Sequence, residues 1–120
     1  MKIILDTNFM LLPAQFKLDI FSELRKYGSL ATMDACIREL ERVSKGRGRS
    51  AGQAKIALAL IKKKRIKIIK TRQSADTALL NHAKKYGYAV ATNDRKLIKR
   101  LKSNGIRIIR LRQRKYLTVV

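Results

Sequence analysis

The sequence predicts an α/β domain of three layers, in which helices flank a mostly parallel sheet of four or five strands. Three observations predict it. Short runs rich in Ile and Val recur along the chain, each closed by a polar residue or a turn, as buried strands are. Between them lie segments of 10 to 14 residues with apolar side chains at helical spacing. The one proline, Pro13, falls near the N-terminus, so no later element is broken by it.

In chain order, KIILD (2–6) is a short buried strand with a polar stop. LDIFSELRKY (18–27) places Leu18, Phe21, Leu24 and Tyr27 on one helical face, and Gly28 follows as a C-cap. SLATM (29–33) is a second strand. DACIRELERVS (34–44) is a helix with Thr32 or Asp34 near its cap. KGRGRSAGQ (45–53), with three glycines and three basic residues, reads as a loop. AKIALALIKKKR (54–65) is a helix whose basic end suits the negative pole of its dipole. IKIIK (66–70) is a third strand. SADTALLNHAKKYG (74–87) is a helix capped by Ser74 and ended by Gly87, and YAVAT (88–92) is a fourth strand. DRKLIKRLKSNG (94–105) is a helix, IRIIRL (106–111) a fifth strand, and YLTVV a candidate edge strand. Alternation of this kind implies right-handed crossovers with helices on both faces. At 120 residues and 46% hydrophobic, the chain supports one core and reads as one domain over residues 1–120.

The formal net charge is +21. Solubility needs far less, and charge of one sign repels itself in a compact state, so a polyanionic partner is expected. Nucleic acid is the first candidate and an anionic membrane surface the second. MKIILDTNF is too short and too acidic for a signal peptide, and no apolar run reaches a membrane span. The lone Cys36 forms no internal disulfide, which makes a reducing, cytoplasmic setting the default. It reads as a small core residue. With His82 as the only histidine, His-based metal sites and a Ser-His-Asp triad are disfavoured. Metal chemistry here would use oxygen ligands, which suit Mg²⁺ or Mn²⁺.

From Arg42 to Val120 there are only two acids, Asp76 and Asp94, against 24 Lys and Arg. In open parallel sheets, ligands bind at the carboxyl ends of the strands. Asp6 ends the first strand, Asp94 follows the fourth, Asp76 opens the helix after the third, and Glu39 and Glu41 lie on the helix after the second. Asp6 has a local explanation as a turn residue, and Asp76 and Asp94 as helix N-terminal acids. Asp76, however, falls within the apolar stripe of Leu79, Leu80 and Ala83, which points it to a buried or cleft-facing position. Glu39 and Glu41 flank the stripe of their helix at similar angles, and pitch does not choose between them. Gathered acids repel one another, and one or two divalent cations would cancel that repulsion and activate water against a phosphodiester.

ILDTNF (4–9), IREL (37–40), ADTALL (75–80) and VATND (90–94) together resemble, in order and spacing, the PIN-domain ribonucleases. The resemblance spans almost the whole chain. It implies an acidic pocket holding Mg²⁺ or Mn²⁺ and endonucleolytic cleavage of single-stranded or looped RNA, leaving 5′-phosphate and 3′-hydroxyl ends. By position it makes Asp6, Glu39, Asp76 and Asp94 the metal-binding and catalytic acids, choosing Glu39 as the Glu before Leu. It makes Thr7, Asn8, Thr92 and Asn93 the residues lining the pocket. Two branches are similar to this chain: VapC-type toxins, and nucleases of small-subunit ribosome biogenesis that process precursor rRNA. The basic Gly-rich loop and basic helix favour the second. The resemblance also admits a homodimer and a protein partner, ribosomal or antitoxin-like.

Lys45, Arg47 and Arg49 in the Gly-rich loop, and Arg95, Lys96, Lys99 and Arg100 beside the pocket, are the expected RNA-gripping cations. RLRQRK (110–115) is a third basic run. Tyr86, Tyr88 and Tyr116 could stack on bases, although core or rim packing is the plainer role for each. His82 is given no catalytic role. The rival to a nuclease is a non-catalytic basic RNA- or ribosome-binding module whose acids serve only as caps or structural ligands.

Overall fold

The computed structural model describes all 120 residues. Strand β1 (Lys2–Leu5) is central, and its Ile3, Ile4 and Leu5 are fully buried. Helices α1 (Thr7–Phe16) and α2 (Ile20–Arg25) lead to β2 (Ser29–Met33). Helices α3 (Asp34–Ser44) and α4 (Arg49–Lys63) lead to β3 (Lys67–Ile69). Helix α5 (Ala75–Tyr86) crosses back to β4 (Ala89–Ala91), and α6 (Arg95–Ser103) leads to β5 (Ile108–Arg112) and β6 (Tyr116–Val119). The sheet order is β3-β2-β1-β4-β5-β6, parallel except for the antiparallel edge strand β6. Helices α1 to α4 pack together on one face and α5 and α6 on the other, as right-handed crossovers require.

This topology positions the site. The chain leaves β1 towards β2 on one side and reaches β4 on the other, so β1 and β4 flank the switch point. Leu5 is in register with both Thr32 and Ala91. The residues just past them, Asp6 and Thr92, therefore emerge side by side.

One core holds the layers together. Phe9, Met10, Phe21, Leu24, Leu40, Leu79, Leu97 and Leu101 are essentially inaccessible, each worth about 1.5–3 kcal/mol by burial. No helix is long and apolar enough to cross a membrane. Gly28 lies against the start of the chain, and a Cβ there would collide with the Met1 carbonyl.

Four sequence expectations change. Residues 7–16, read as a connection, form α1: Asp6 caps it, and burial of Phe9, Met10, Leu12 and Pro13 outweighs the helix-breaking tendency of the proline. The loop expected over 45–53 contracts to 45–48, because α4 begins at Arg49 and buries Ala51 and Ala54. The helix expected over 18–27 shortens to α2. The sheet has six strands rather than four or five, since YLTVV pairs with β5.

Candidate active site

Asp6 is the centre of the site. It is 6% exposed and caps α1, with Oδ1 accepting the Phe9 N–H at 2.7 Å. Its Oδ2 accepts the hydroxyl of Thr92, which is fully buried at the end of β4. The Thr92 Oγ1 in turn accepts the N–H of Asp94 at 3.1 Å. Asp94 then caps α6, its Oδ1 accepting from Lys96 N at 2.9 Å and Leu97 N at 3.3 Å. One hydrogen-bonded chain thus joins the ends of β1 and β4 and the starts of α1 and α6.

Burial pushes the Asp6 carboxyl up to about 6. The Thr92 and Phe9 hydrogen bonds pull it back down, and the negative charges of Asp76 and Asp94 push it up again. Asp76 and Asp94 are therefore each near enough for their charge to reach Asp6. Glu39 stands one step away. It is half-buried on α3, whereas Glu41 is exposed, and its charge reaches the buried Cys36 together with that of Asp6. Burial raises the Cys36 thiol, while hydrogen bonds with Thr7 and Thr32 hold it down. Cys36 is thus a core residue forming the floor under the acids.

Of the two positions expected for Asp76, buried or cleft-facing, burial is excluded: it is exposed. It sits in the first turn of α5, and its negative charge reaches Asp6.

The remaining polar residues divide. Thr7 is half-buried near Cys36. Asn8, Asn93 and Asp94 line an open pocket of about 300 Å³ with Phe9, Leu12 and Gln15. Asn93 also has a role the sequence did not reveal: its Oδ1 accepts the Leu111 N–H at 2.9 Å and its Nδ2 donates to the Leu111 carbonyl at 3.1 Å. That reciprocal pair ties the β4–α6 turn to β5. Thr32, also unforeseen here, donates to the Leu5 carbonyl at 2.9 Å and fixes the strand just before Asp6.

Arg95, Lys96, Lys99 and Arg100 are all exposed on α6, beginning one residue after Asp94. Gln15 on the pocket rim meets Gln53 on α4 at 3.5 Å. Arg49 is the first residue of α4 and is exposed. Lys45 and Arg47 occupy the short α3–α4 turn, and no contact joins them to the acids.

The charges show what this arrangement suits. The chain has 29 Lys and Arg. Its three ion pairs use Glu23, Asp34 and Asp19. Asp6, Glu39, Asp76 and Asp94 pair with none of these cations. A buried, unpaired carboxylate such as Asp6, reached by the charges of Asp76 and Asp94, suits a hard divalent cation. No three of these four acids are close enough to share one ion.

Comparison with known proteins agrees with this fold. Residues 3–114 match the model of a family described as PIN like domain. Ribonuclease VapC4 of Methanocaldococcus jannaschii is 35% identical, covering 98% of this chain and 95% of that protein. Ribonuclease VapC9 of Archaeoglobus fulgidus is 31% identical, covering 93% and 84%. The solved structure of the PIN domain endonuclease Utp24 superposes with a TM-score of 0.80 at 28% identity, covering 98% of this chain and 90% of that one. The chain belongs to the PIN-like domain family.

Proposed function

We propose that the protein is a divalent-metal-dependent endoribonuclease of the VapC type. Ribonuclease activity rests on the two relatives named as ribonucleases, which align over nearly the full chain. The observation that carries the mechanism is the buried Asp6, joined through Thr92 to Asp94 and left unpaired in a chain of charge +21.

Asp6, Asp76 and Asp94, with Glu39 at the margin, would hold Mg²⁺ or Mn²⁺. Such an ion, when bound, polarises a phosphodiester and lowers the pKa of a water. The chain's own residues set the stage. Thr92 fixes the Asp6 carboxylate, and Asn93 holds the turn that presents Asp94. Arg95 and Lys96, at the positive end of α6, grip the RNA backbone beside the acids. Asn8 and Gln15 offer amides to sugar or base edges along the pocket.

The substrate assignment reverses the order drawn from the sequence. The basic helix and Gly-rich turn favoured precursor rRNA processing, but both curated relatives are VapC ribonucleases. Precursor rRNA processing stays as the second reading, supported by the density of charge on α6. A VapC-type enzyme would work with an antitoxin-like protein partner.

The test is cleavage of end-labelled tRNA and precursor rRNA fragments by wild type and Asp94→Asn, with Mn²⁺, Mg²⁺ or EDTA. Asn caps a helix as well as Asp does, so the variant folds. Metal-dependent cutting that is lost in Asp94→Asn, with RNA binding equal or tighter, is the expected result. The fragment cut decides between the two readings. Tight binding without cutting by wild type under every metal would make the protein a binding module.

A further inference from the structure

The edge of the sheet opposite the acids carries a second feature. Tyr88 lies just before β4, and Tyr86 and His82 lie on the last turns of α5. Gly87 (φ 71°) closes α5 in the left-handed conformation and folds Tyr88 back under the helix end. The three rings meet. His82 and Tyr86 have centroids 4.7 Å apart, His82 and Tyr88 5.8 Å, and Tyr86 and Tyr88 stack at 5.6 Å with 25° between planes. Lys2 Nζ lies 5.3 Å from the Tyr88 ring centre and Lys85 Nζ 5.4 Å from that of Tyr86. Tyr86 is 51% exposed. An open depression of about 460 Å³ adjoins Tyr88 and is bordered by Lys84 and Arg107.

We propose that His82, Tyr86 and Tyr88 form an RNA-stacking exosite, which holds a single-stranded segment of the substrate distal to the scissile bond. The identity of the ligand rests on the ribonuclease reading. Three arguments favour RNA over an apolar partner. Flat rings ringed by cations are how sequence-tolerant single-strand sites are built, the rings taking bases and the lysines phosphates. No acid follows Asp76 on α5, so nothing beyond its first turn repels a phosphate chain. Burial and the charges of Lys85, Lys2 and Lys67 hold His82 below its usual range, so at neutral pH it presents an uncharged ring. Asp76 and Tyr86 are ten residues apart on α5, about 15 Å along the axis. Only a longer RNA, running along α5, engages both ends.

The test uses the full chain and two oligouridines, one long enough to reach both edges and one too short. Binding is measured in EDTA, so that the probe is not cut. His82 is the only histidine, and its ring resonances give an unambiguous reporter. The longer RNA shifts them and the shorter does not. Tyr86→Lys, which removes a ring but adds a positive charge, weakens the longer RNA about tenfold and leaves the shorter unaffected. Tyr86→Trp restores binding. Equal or tighter binding by Tyr86→Lys would show a purely electrostatic surface and overturn the exosite. So would His82 signals that move with protein concentration alone, which would mean that a second copy covers the rings. A parallel cleavage arm with Mn²⁺ separates the two readings. Cutting without His82 shifts overturns the exosite alone, whereas His82 shifts without cutting uphold it and overturn the ribonuclease.

Discussion

Thr92 donates its hydroxyl to one carboxylate oxygen of Asp6, although 86 positions separate them in the chain. The same oxygen of Thr92 accepts the N–H of Asp94 at 3.1 Å. A threonine that touches two acids at once sets the angle of the first and the position of the second.

Replacing Thr92 with Val keeps the shape and removes the hydroxyl. Asp6 then loses one of its two hydrogen bonds and the Asp94 N–H loses its acceptor. The expected cost is about 1–3 kcal/mol of stability, with a fall in cleavage of about 10–100-fold, as when the partners of metal ligands are removed. Thr92→Ser restores most of both. Urea unfolding and cleavage rates of the three proteins at one pH check this. A Thr92→Val enzyme as active as wild type would remove Thr92 from the site.

Asp6 makes stability depend on pH. Its folded pKa of about 6 lies above its ordinary 3.8, because burial disfavours the charged form. The folded state therefore holds the proton more tightly than the unfolded state. Between those two values, rising pH destabilises the fold, by about 3 kcal/mol in total. Below both values the penalty is absent. Asp6→Asn keeps an oxygen for the Phe9 N–H and carries no charge. In EDTA, wild type should lose melting temperature relative to Asp6→Asn as pH rises from 4 to 7. Added Mn²⁺ should return stability to wild type alone. Parallel melting curves for the two proteins across that range would contradict the raised pKa.

The basic helix predicts a salt response. Arg95 and Lys96 sit in the first turn of α6, exposed and free of carboxylate partners. If each meets one phosphate, log affinity falls steeply with log salt. Arg95→Gln and Lys96→Gln should each then lower the slope by about 1. The loss should be similar for unrelated sequences, since phosphate contacts carry no sequence information. Lys45→Gln, in the α3–α4 turn, tests whether that turn also touches RNA. An unchanged slope would exclude that turn from the grip on RNA.

Much of the fold was legible because its central strands β1, β2 and β4 are short, apolar and buried, and because glycines such as Gly87 mark helix ends. Helix α1 was not legible. Pro13 masks its period, and its start is set by Asp6, a residue whose cap is seen only once β1 and the helix are both in place. The start of α4 was hidden for a similar reason. Gly48 and Gly52 suggest a loop, yet Ala51 and Ala54 pack into the core and carry the helix through. In the site, the strand-end rule located Asp6 and Asp94. It could not show that Thr92 links them or that Asn93 binds Leu111, since both are contacts between distant segments. For Asp76, helical pitch gave the direction around the axis but left burial and a cleft position open, since exposure depends on what packs against that turn.

The edge strand β6 gives a last prediction, in which two energies oppose. Its hairpin turns at Gln113 and Arg114, both at φ 54°, with Lys115 N donating to the Arg112 carbonyl at 3.0 Å. Two positive φ angles in the turn are the geometry that favours Asn-Gly, and a side chain there costs roughly 1–2 kcal/mol before the entropy of glycine is counted. Gln113→Gly should thus stabilise the protein by about 0.5–1 kcal/mol. Arg114 differs, because its guanidinium lies 5.3 Å from the centre of the Phe16 ring. That contact is worth about 0.5–1 kcal/mol at an exposed site, so Arg114→Gly should leave stability nearly unchanged. Urea unfolding of the two single variants measures the difference. Equal gains from both would mean that the Arg114–Phe16 contact contributes nothing to holding the hairpin against α1.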